Sequence, residues 1–500
     1  MRLALVALAA LPLLAAEMPI LTPKSGPQPR INGPRVYGIR PGKPFLYRIP
    51  VTGARPMKYE AVGLPASVKL DPATGILSGT APQAPGTLKV TLRASNKHGK
   101  AAREFRLTVG DTIALTPPMG WNHWYTHYNR VSDKLFREAA DAMVASGMAD
   151  FGYSYVSIDD CWMMKPGSSD PALNGEPRDA SGRIRPNLRF PDMPALTAYI
   201  HAKGLKAGIY TGPGPLTCAQ YTAAWQHEEI DARTFAEWGY DLLKYDWCSY
   251  GKLVKPVTRE DFTKPYALMG SLLKKQNRDI QFNLCQYGMG DVWKWGGEVG
   301  GQSWRTTGDL GLEKDSRLPG FYSIAFKNMI LSDYAGPGRW NDPDYILIGT
   351  IGNAHSISDA PKQTTLTASE QYSYMSLWSL MASPLFFSGD MSKLDEFTLN
   401  VLCNAEVIDV NQDPLGRQAR VIRKTDDELV LLKPLEDGSV AIGLFNLGEQ
   451  PRRVSASFAG LKLTGKKQVR DLWRQKNLAP VTGEVGAELE RHGVAFYRLR

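Results

Sequence analysis

The chain has 500 residues, 43% hydrophobic and 22% charged, with 12 Trp, 21 Tyr, 47 Gly and 35 Pro. That length exceeds one small core and calls for two or three domains, and the composition excludes a disordered or collagen-like chain. The formal charge of +9 is spread without a dense Lys/Arg cluster, so a nucleic-acid groove is excluded and a basic surface remains.

Residues 1–16 carry one positive charge, Arg2, then an apolar run that closes on Ala15-Ala16, and read as a secretory signal peptide. Export, periplasmic or extracellular, is expected; the run is too short for a membrane span and no second candidate follows. Residues 17–36 are rich in Pro and Gly and read as an extended linker. Over 37–110, short β-type runs (Phe45–Val51, Leu88–Ser95, Arg103–Val109) alternate with tight turns at Asp71–Gly75 and Gly79-Thr80, as in a β-sandwich.

From Thr116 the texture changes, because strand-like runs now follow helix-like ones. Tyr155–Asp160 follows Ser132–Met148, Lys206–Thr211 follows Met193–Lys203, and Asp241–Asp246 follows Ile230–Trp238. Ile280–Cys285 follows Lys264–Lys275; then come Ser303–Asp309, a helix over Gly320–Ser332, and Ser383–Gly389 after Ser369–Met381. This alternation predicts a parallel sheet closed as a (β/α)8 TIM barrel over 111–412. An open doubly wound sheet is the alternative, but no Gly-rich dinucleotide loop follows a strand. Residues 413–500 return to short strands (Leu429–Leu435, Ser439–Asn446, Gly493–Arg500) and predict a C-terminal antiparallel β-sandwich.

Five cysteines, Cys161, Cys218, Cys248, Cys285 and Cys403, leave at least one thiol unpaired. No C-x-x-C occurs and the seven histidines lack ligand spacing, so neither a metal nor a cofactor is expected.

The chemistry is legible where the acids fall. Asp159-Asp160, Asp246 and Asp309 each close a predicted strand, and Asp342 and Asp344 lie in a Gly/Pro loop. An isolated Lys244-x-Asp246 is most often a strand-end ion pair. Several acids at the C-terminal rim of one barrel, mixed with Trp124, Trp162, Tyr210, Trp304 and Trp340, instead predict a polar cup with aromatic walls. Such a cup holds a sugar: carboxylates accept from hydroxyls, rings cover the apolar C–H face, and two carboxylates can cleave a glycosidic bond.

These residues fall in motifs that resemble glycoside hydrolase family 27, the α-galactosidases and α-N-acetylgalactosaminidases. They are Thr116–Trp124, Ile158–Trp162, Gly204–Tyr210, Leu243–Cys248, Ala335–Asp344 and Ile408–Gly416, in the family's order. The stretch Leu64–Pro82 similarly resembles the Ig-like sandwich modules found beside bacterial surface enzymes, which act as spacers or dock to a cell surface or polysaccharide. The resemblance implies a retaining exo-glycosidase acting on a galactose-containing oligosaccharide, polysaccharide or glycoconjugate. Asp246 would be the nucleophile and Asp309 the acid/base. Lys244 would hold a sugar hydroxyl and keep Asp246 ionised, and Asp159 and Asp160 would bind O4 and O6. Trp124 would pack on C6, Tyr210 line the pocket, and Arg305 and Asp344 contact the 2- and 3-side, with Arg305 turned to the sugar rather than to Asp309. Cys218 and Gln286 complete the substrate-binding set.

The resemblance also implies a Cys218–Cys248 disulfide, and Cys161 and Cys285, whose family partners are missing, are expected to be free. Where the family's α-galactosidases carry Cys-Glu-Trp, this chain has Cys285-Gln286-Tyr287. Gln286 and Met289 are not small, which favours a free 2-hydroxyl. An N-acetylgalactosaminidase or a β-L-arabinopyranosidase is the alternative within the family, and a non-catalytic carbohydrate-binding surface protein is the alternative outside it.

Overall fold

A computed structural model of the chain describes residues 18–255, 258–310, 317–352 and 360–500. The predicted signal peptide lies outside the described residues.

The N-terminal module is a β-sandwich. One sheet orders Val36–Ile39, Gly99–Val109, Gly86–Asn96 and Lys58–Val62, and the other orders Pro44–Arg48, Ile76–Thr80 and Val68–Leu70. Period-two patterning selects the faces: Val90, Leu92 and Ala94 on one strand and Phe105, Leu107 and Val109 on the next point into a core with Phe45 and Leu77. The predicted turn at Asp71 forms as its side chain dictates, accepting from Ala73 N (2.9 Å) and Thr74 Oγ1 (2.8 Å).

The central domain is an eight-stranded parallel barrel. Its strands are β1 (Met119–Asn122), β2 (Tyr155–Ser157), β3 (Lys206–Thr211), β4 (Leu242–Asp246), β5 (Gln281–Cys285), β6 (Ser303–Arg305), β7 (Trp340–Asp342) and β8 (Leu385–Phe387). They pair in chain order, β8 returns beside β1, and Ile346 just after β7 bridges Phe387 to close the ring. Side-chain caps set where the helices start: Ser132 before Asp133–Ala145, Asp192 before Met193–Ala202, and a Thr258/Asp261 capping box before Arg259–Lys274.

The C-terminal domain is antiparallel, with a six-stranded sheet ordered Arg420–Lys424, Glu428–Pro434, Val440–Asn446, Val494–Leu499, Lys466–Asp471, Lys476–Thr482 and a second pair, Arg452–Ser457 with Glu484–Leu489. Alternation again sorts the faces. Val430 and Leu432 belong to the sandwich core, whereas Leu429 and Leu431 join the barrel's core. Between the two domains runs helix Ala368–Leu380, buried on every side from Glu370 to Leu380. Two of its buried polar side chains pair with the C-terminal domain, Glu370 with His492 Nδ1 (2.7 Å) and Ser373 Oγ donating to His492 O (2.7 Å).

The N-terminal module sits on the face of the barrel where the strands begin. Arg40 donates through its backbone N (2.8 Å) and guanidinium (3.2 Å) to Asp279, two residues before β5. Lys43 Nζ donates to Gln276 O (2.6 Å), Arg55 pairs with Asp150 (2.6 Å), and Lys206 at the start of β3 donates to Tyr37 OH. The segment read as a linker is fastened too: Leu21 N donates to Tyr372 OH (3.1 Å), Thr22 N to Asn400 Oδ1 (3.0 Å), and Arg30–Ile31 pairs with Val51–Thr52. Asp279→Ala strips Arg40 of both acceptors, so it is expected to lower unfolding stability by about 1–3 kcal/mol. Differential scanning calorimetry of the two chains checks this.

Candidate active site

The strand tips opposite the module surround a cavity of about 310 Å³. Of the sequence-predicted residues, Trp124, Asp159, Tyr210, Cys218 and Lys244 line it, as do Asp246, Arg305, Asp309 and Asp344. Parallel register brings them together: Tyr210 on β3 stands beside Lys244 on β4, and Asp246 beside Cys285 on β5. Gly212, just past β3, lies against the carbonyl of Asp246, where a Cβ would collide. The close approach of these two tips therefore depends on that glycine.

Asp246 is 5% exposed, and its two oxygens have different partners. Oδ1 accepts from Tyr287 OH at 2.6 Å; Oδ2 is 3.2 Å from Tyr210 OH. Burial raises its carboxyl above the ordinary value, while the charge of Lys244 and the Tyr287 hydroxyl pull it back in part. A Cys218–Cys248 disulfide borders these tyrosines at the rim of the cavity, and Cys161, Cys285 and Cys403 are free.

Two buried ion pairs flank Asp246. Lys244 Nζ donates to Asp159 Oδ2 (2.8 Å), which also accepts from Asn122 Nδ2 (2.9 Å) and Tyr345 OH (3.1 Å). Burial would raise Asp159, but the charge and hydrogen bond of Lys244, with the hydrogen bond from Asp160 N, hold it below the usual carboxylate range. His123 supports it from behind. Burial pushes that imidazole down to about 3, so it is neutral; Nδ1 accepts from Asp159 N (3.1 Å) and Nε2 donates to Tyr128 O (3.1 Å). On the other side Arg305 donates to Asp344 (2.9 Å), Asp309 (3.1 Å) and Gly308 O (2.8 Å). Asp344 also accepts from Tyr125 OH (2.6 Å) and Leu310 N (2.9 Å). The ordinary ion-pair reading would make both pairs structural; all four residues also line the one cavity beside Asp246.

Several expectations change. Lys244 makes its direct ion pair with Asp159, two strands away, while its charge still favours the ionised form of Asp246. Arg305, expected to turn away from Asp309, holds it. Trp162, Trp304 and Trp340 are buried core, with indole N–H groups donating to Tyr210 O, Asn341 Oδ1 and Ala114 O; Tyr125, Tyr128, Tyr287 and Tyr345 form the walls instead. Asp160 is not among the lining residues. It accepts from Cys161 N (2.7 Å) and Ala219 N (2.9 Å), tying the Cys218 loop to β2, and burial pushes its carboxyl up to about 7. Asp342 caps its own loop by accepting from Asp344 N (2.9 Å). Gln286 is fully buried and donates to Met289 O (2.7 Å), so the neighbouring Tyr287 reaches the cavity. The Gly288 and Gly290 that follow were the available sign of a turn there.

A closed parallel barrel that presents carboxylates from separate strands to one hydroxyl-lined cup is the equipment of a glycoside hydrolase. Comparison with known proteins narrows the class. The family described as Alpha galactosidase A matches residues 116–413, Alpha galactosidase C-terminal beta sandwich domain matches 425–499, and "Putative Ig domain" matches 28–110. The α-galactosidase of Cyamopsis tetragonoloba is 38% identical over 400 residues, 79% of this chain and 88% of that protein. A solved structure from Bacteroides fragilis, named as a "putative alpha-galactosidase/melibiase", superposes with a TM-score of 0.86 at 36% identity, covering 96% of this chain and 99% of that one. A GH27 β-L-arabinopyranosidase from Geobacillus stearothermophilus superposes with a TM-score of 0.68 at 26% identity, covering 77% and 96%. The chain belongs to the α-galactosidase family, glycoside hydrolase family 27.

Proposed function

We propose that the protein is an exported retaining exo-glycosidase that releases terminal α-D-galactosyl units from oligosaccharides, polysaccharides or glycoconjugates. The observation that carries this reading is the shared cavity of Asp246 and Asp309, on the tips of β4 and β6, flanked by the Lys244–Asp159 and Arg305–Asp344 pairs. Asp246 attacks the anomeric carbon while the leaving oxygen takes a proton from Asp309; water then attacks the glycosyl ester and returns its proton to Asp309. Lys244 and Asp159 offer a paired donor and acceptor to vicinal hydroxyls, and Arg305 and Asp344 do the same across the ring. Trp124 covers the C6 side. Export is supported by the signal-like residues 1–16 and by a disulfide at the rim of the site; among the described residues no helix is long and apolar enough to cross a membrane.

The choice of sugar turns on the 2-side. Gln286 is withdrawn from the cavity and the ring of Tyr287 stands in its wall, which favours a free 2-hydroxyl over an acetamide. On p-nitrophenyl glycosides we expect hydrolysis of the α-galactoside at least about tenfold faster than of the α-N-acetylgalactosaminide, since a misfit of this size costs upwards of about 1.4 kcal/mol. The β-L-arabinopyranoside, which lacks C6, should lose the contact with Trp124 and turn over more slowly. Activity on the acetamido sugar alone would sink the substrate assignment, and activity on none would favour a binding protein.

A further inference from the structure

We propose that Tyr287 is a positioning residue for Asp246, whose hydroxyl fixes one carboxylate oxygen so that the other is presented to the sugar. This rests on the reading of Asp246 as the nucleophile.

The geometry points to it in three ways. The Tyr287 hydroxyl makes the shorter of the two contacts to Asp246, 2.6 Å to Oδ1 against 3.2 Å from Tyr210 to Oδ2. Each phenol also lies near a disulfide sulfur, but Tyr210 OH is as close to Cys248 Sγ (3.2 Å) as to the carboxylate, whereas Tyr287 OH is 1.0 Å nearer the carboxylate than Cys218 Sγ (2.6 against 3.6 Å). Burial holds the Tyr287 phenol well above its usual value, so it stays protonated and donates.

The second sign is strain. Tyr287 adopts φ 65°, a left-handed conformation that costs a bulky residue about 1–2 kcal/mol and persists only where its surroundings impose it. Those surroundings are specific. The Gln286 amide donates to Met289 O, Met289 N donates back to Gln286 O (3.2 Å), and Gly288 lies against the Thr306 carbonyl, where a Cβ would not fit. Gln286 thus acts through Tyr287, which gives the departure from Cys-Glu-Trp a physical purpose. The third sign is the backing: Tyr287 OH lies 3.6 Å from Cys218 Sγ, so the disulfide limits how far the phenol can withdraw.

The consequence for the reaction is an asymmetry. Oδ2 forms the bond to the anomeric carbon as the bond to the leaving oxygen breaks, and Oδ1 becomes the carbonyl of the ester, still hydrogen-bonded to Tyr287. When water attacks, the ester C–O bond breaks, its electron pair returns to the carboxylate, and the proton of the water goes to Asp309. Tyr287 stabilises the returning negative charge at Oδ1, which speeds this second step, and it keeps the free carboxyl ionised to lower pH.

The test is Tyr287→Phe, with Tyr287→Trp as a second variant that restores bulk without a hydroxyl in the same place. A donor to the ionised carboxylate lowers its pKa, so removing the donor raises it. The acid limb of kcat/KM should move to higher pH by about one unit in both variants. With an activated aryl α-galactoside kcat should fall about tenfold or more, and the ester should accumulate as a burst. Wild type should be labelled on Asp246 by a 2-deoxy-2-fluoro-galactosyl fluoride. Labelling at Asp246 with an unmoved acid limb and an unchanged kcat in both variants overturns the role of Tyr287 alone. Labelling at a different residue overturns the nucleophile reading, and the proposal with it.

Discussion

Asp246→Asn is expected to lower kcat/KM for an aryl α-galactoside by on the order of 10⁴-fold or more, because an amide cannot form the glycosyl ester. The substitution is nearly isosteric, and the new carbonyl oxygen still accepts from Tyr287, so the pocket should keep its shape. Stability separates this loss from misfolding. Burial raises the Asp246 carboxyl in the folded chain, so its ionised form destabilises the fold at pH values above the unfolded carboxylate range. The neutral amide removes that cost. The variant should therefore unfold at the same temperature as wild type or higher at pH 7, and the advantage should vanish near pH 3, where the carboxyl is protonated in both states. Calorimetry at the two pH values, beside the rate assay, checks both halves. Substantial hydrolysis by Asp246→Asn would remove Asp246 from its role.

The barrel was readable because strand-like runs such as Lys206–Thr211 follow helix-like runs such as Met193–Lys203 along the chain, a pattern local to the sequence. The constellation was readable for a related reason: in a parallel barrel every strand tip faces the same way, so Asp159, Asp246 and Asp309 had to share one rim. What stayed hidden was non-local. The helix read over Ser369–Met381 formed, as Ala368–Leu380, but its burial between two domains was not legible, because a helix covered on opposite sides has no clear apolar stripe. A tryptophan in a motif does not say whether it faces the ring of helices or the cup, and Trp162, Trp304 and Trp340 faced the core. The partner of Lys244 lies two strands away, on β2's extension, where sequence adjacency has no bearing. Tyr287 was missed because the resemblance put Gln286 in the place of the family's glutamate; alternation from Asn283 and Cys285, which face the barrel interior, points to Tyr287 instead.

Asp309→Ala should fail differently, and the difference identifies the acid/base. Asp309 is partly open to solvent, with 24% of its side chain exposed, whereas Asp246 is sealed beneath the tyrosines. Exposure suits a group that must meet both a leaving oxygen and an incoming water. Its link to Arg305 at 3.1 Å aims the carboxyl while the stronger partner of Arg305, Asp344, keeps the guanidinium in place. Without Asp309, substrates whose leaving group needs a proton should slow by about 10²–10⁴-fold. A dinitrophenyl galactoside, which leaves without help, should form the ester at a near-normal rate and then stall, since no base activates the water. Azide needs no base, so it should restore turnover and give the α-galactosyl azide with retained configuration. Asp246→Ala under the same conditions should give the β-azide, because the anion enters from the face that the nucleophile vacated. If Asp309→Ala lost the same factor on both leaving groups, or if azide gave the inverted product, Asp309 would not be the proton donor, and the division of labour between β4 and β6 would have to be drawn again.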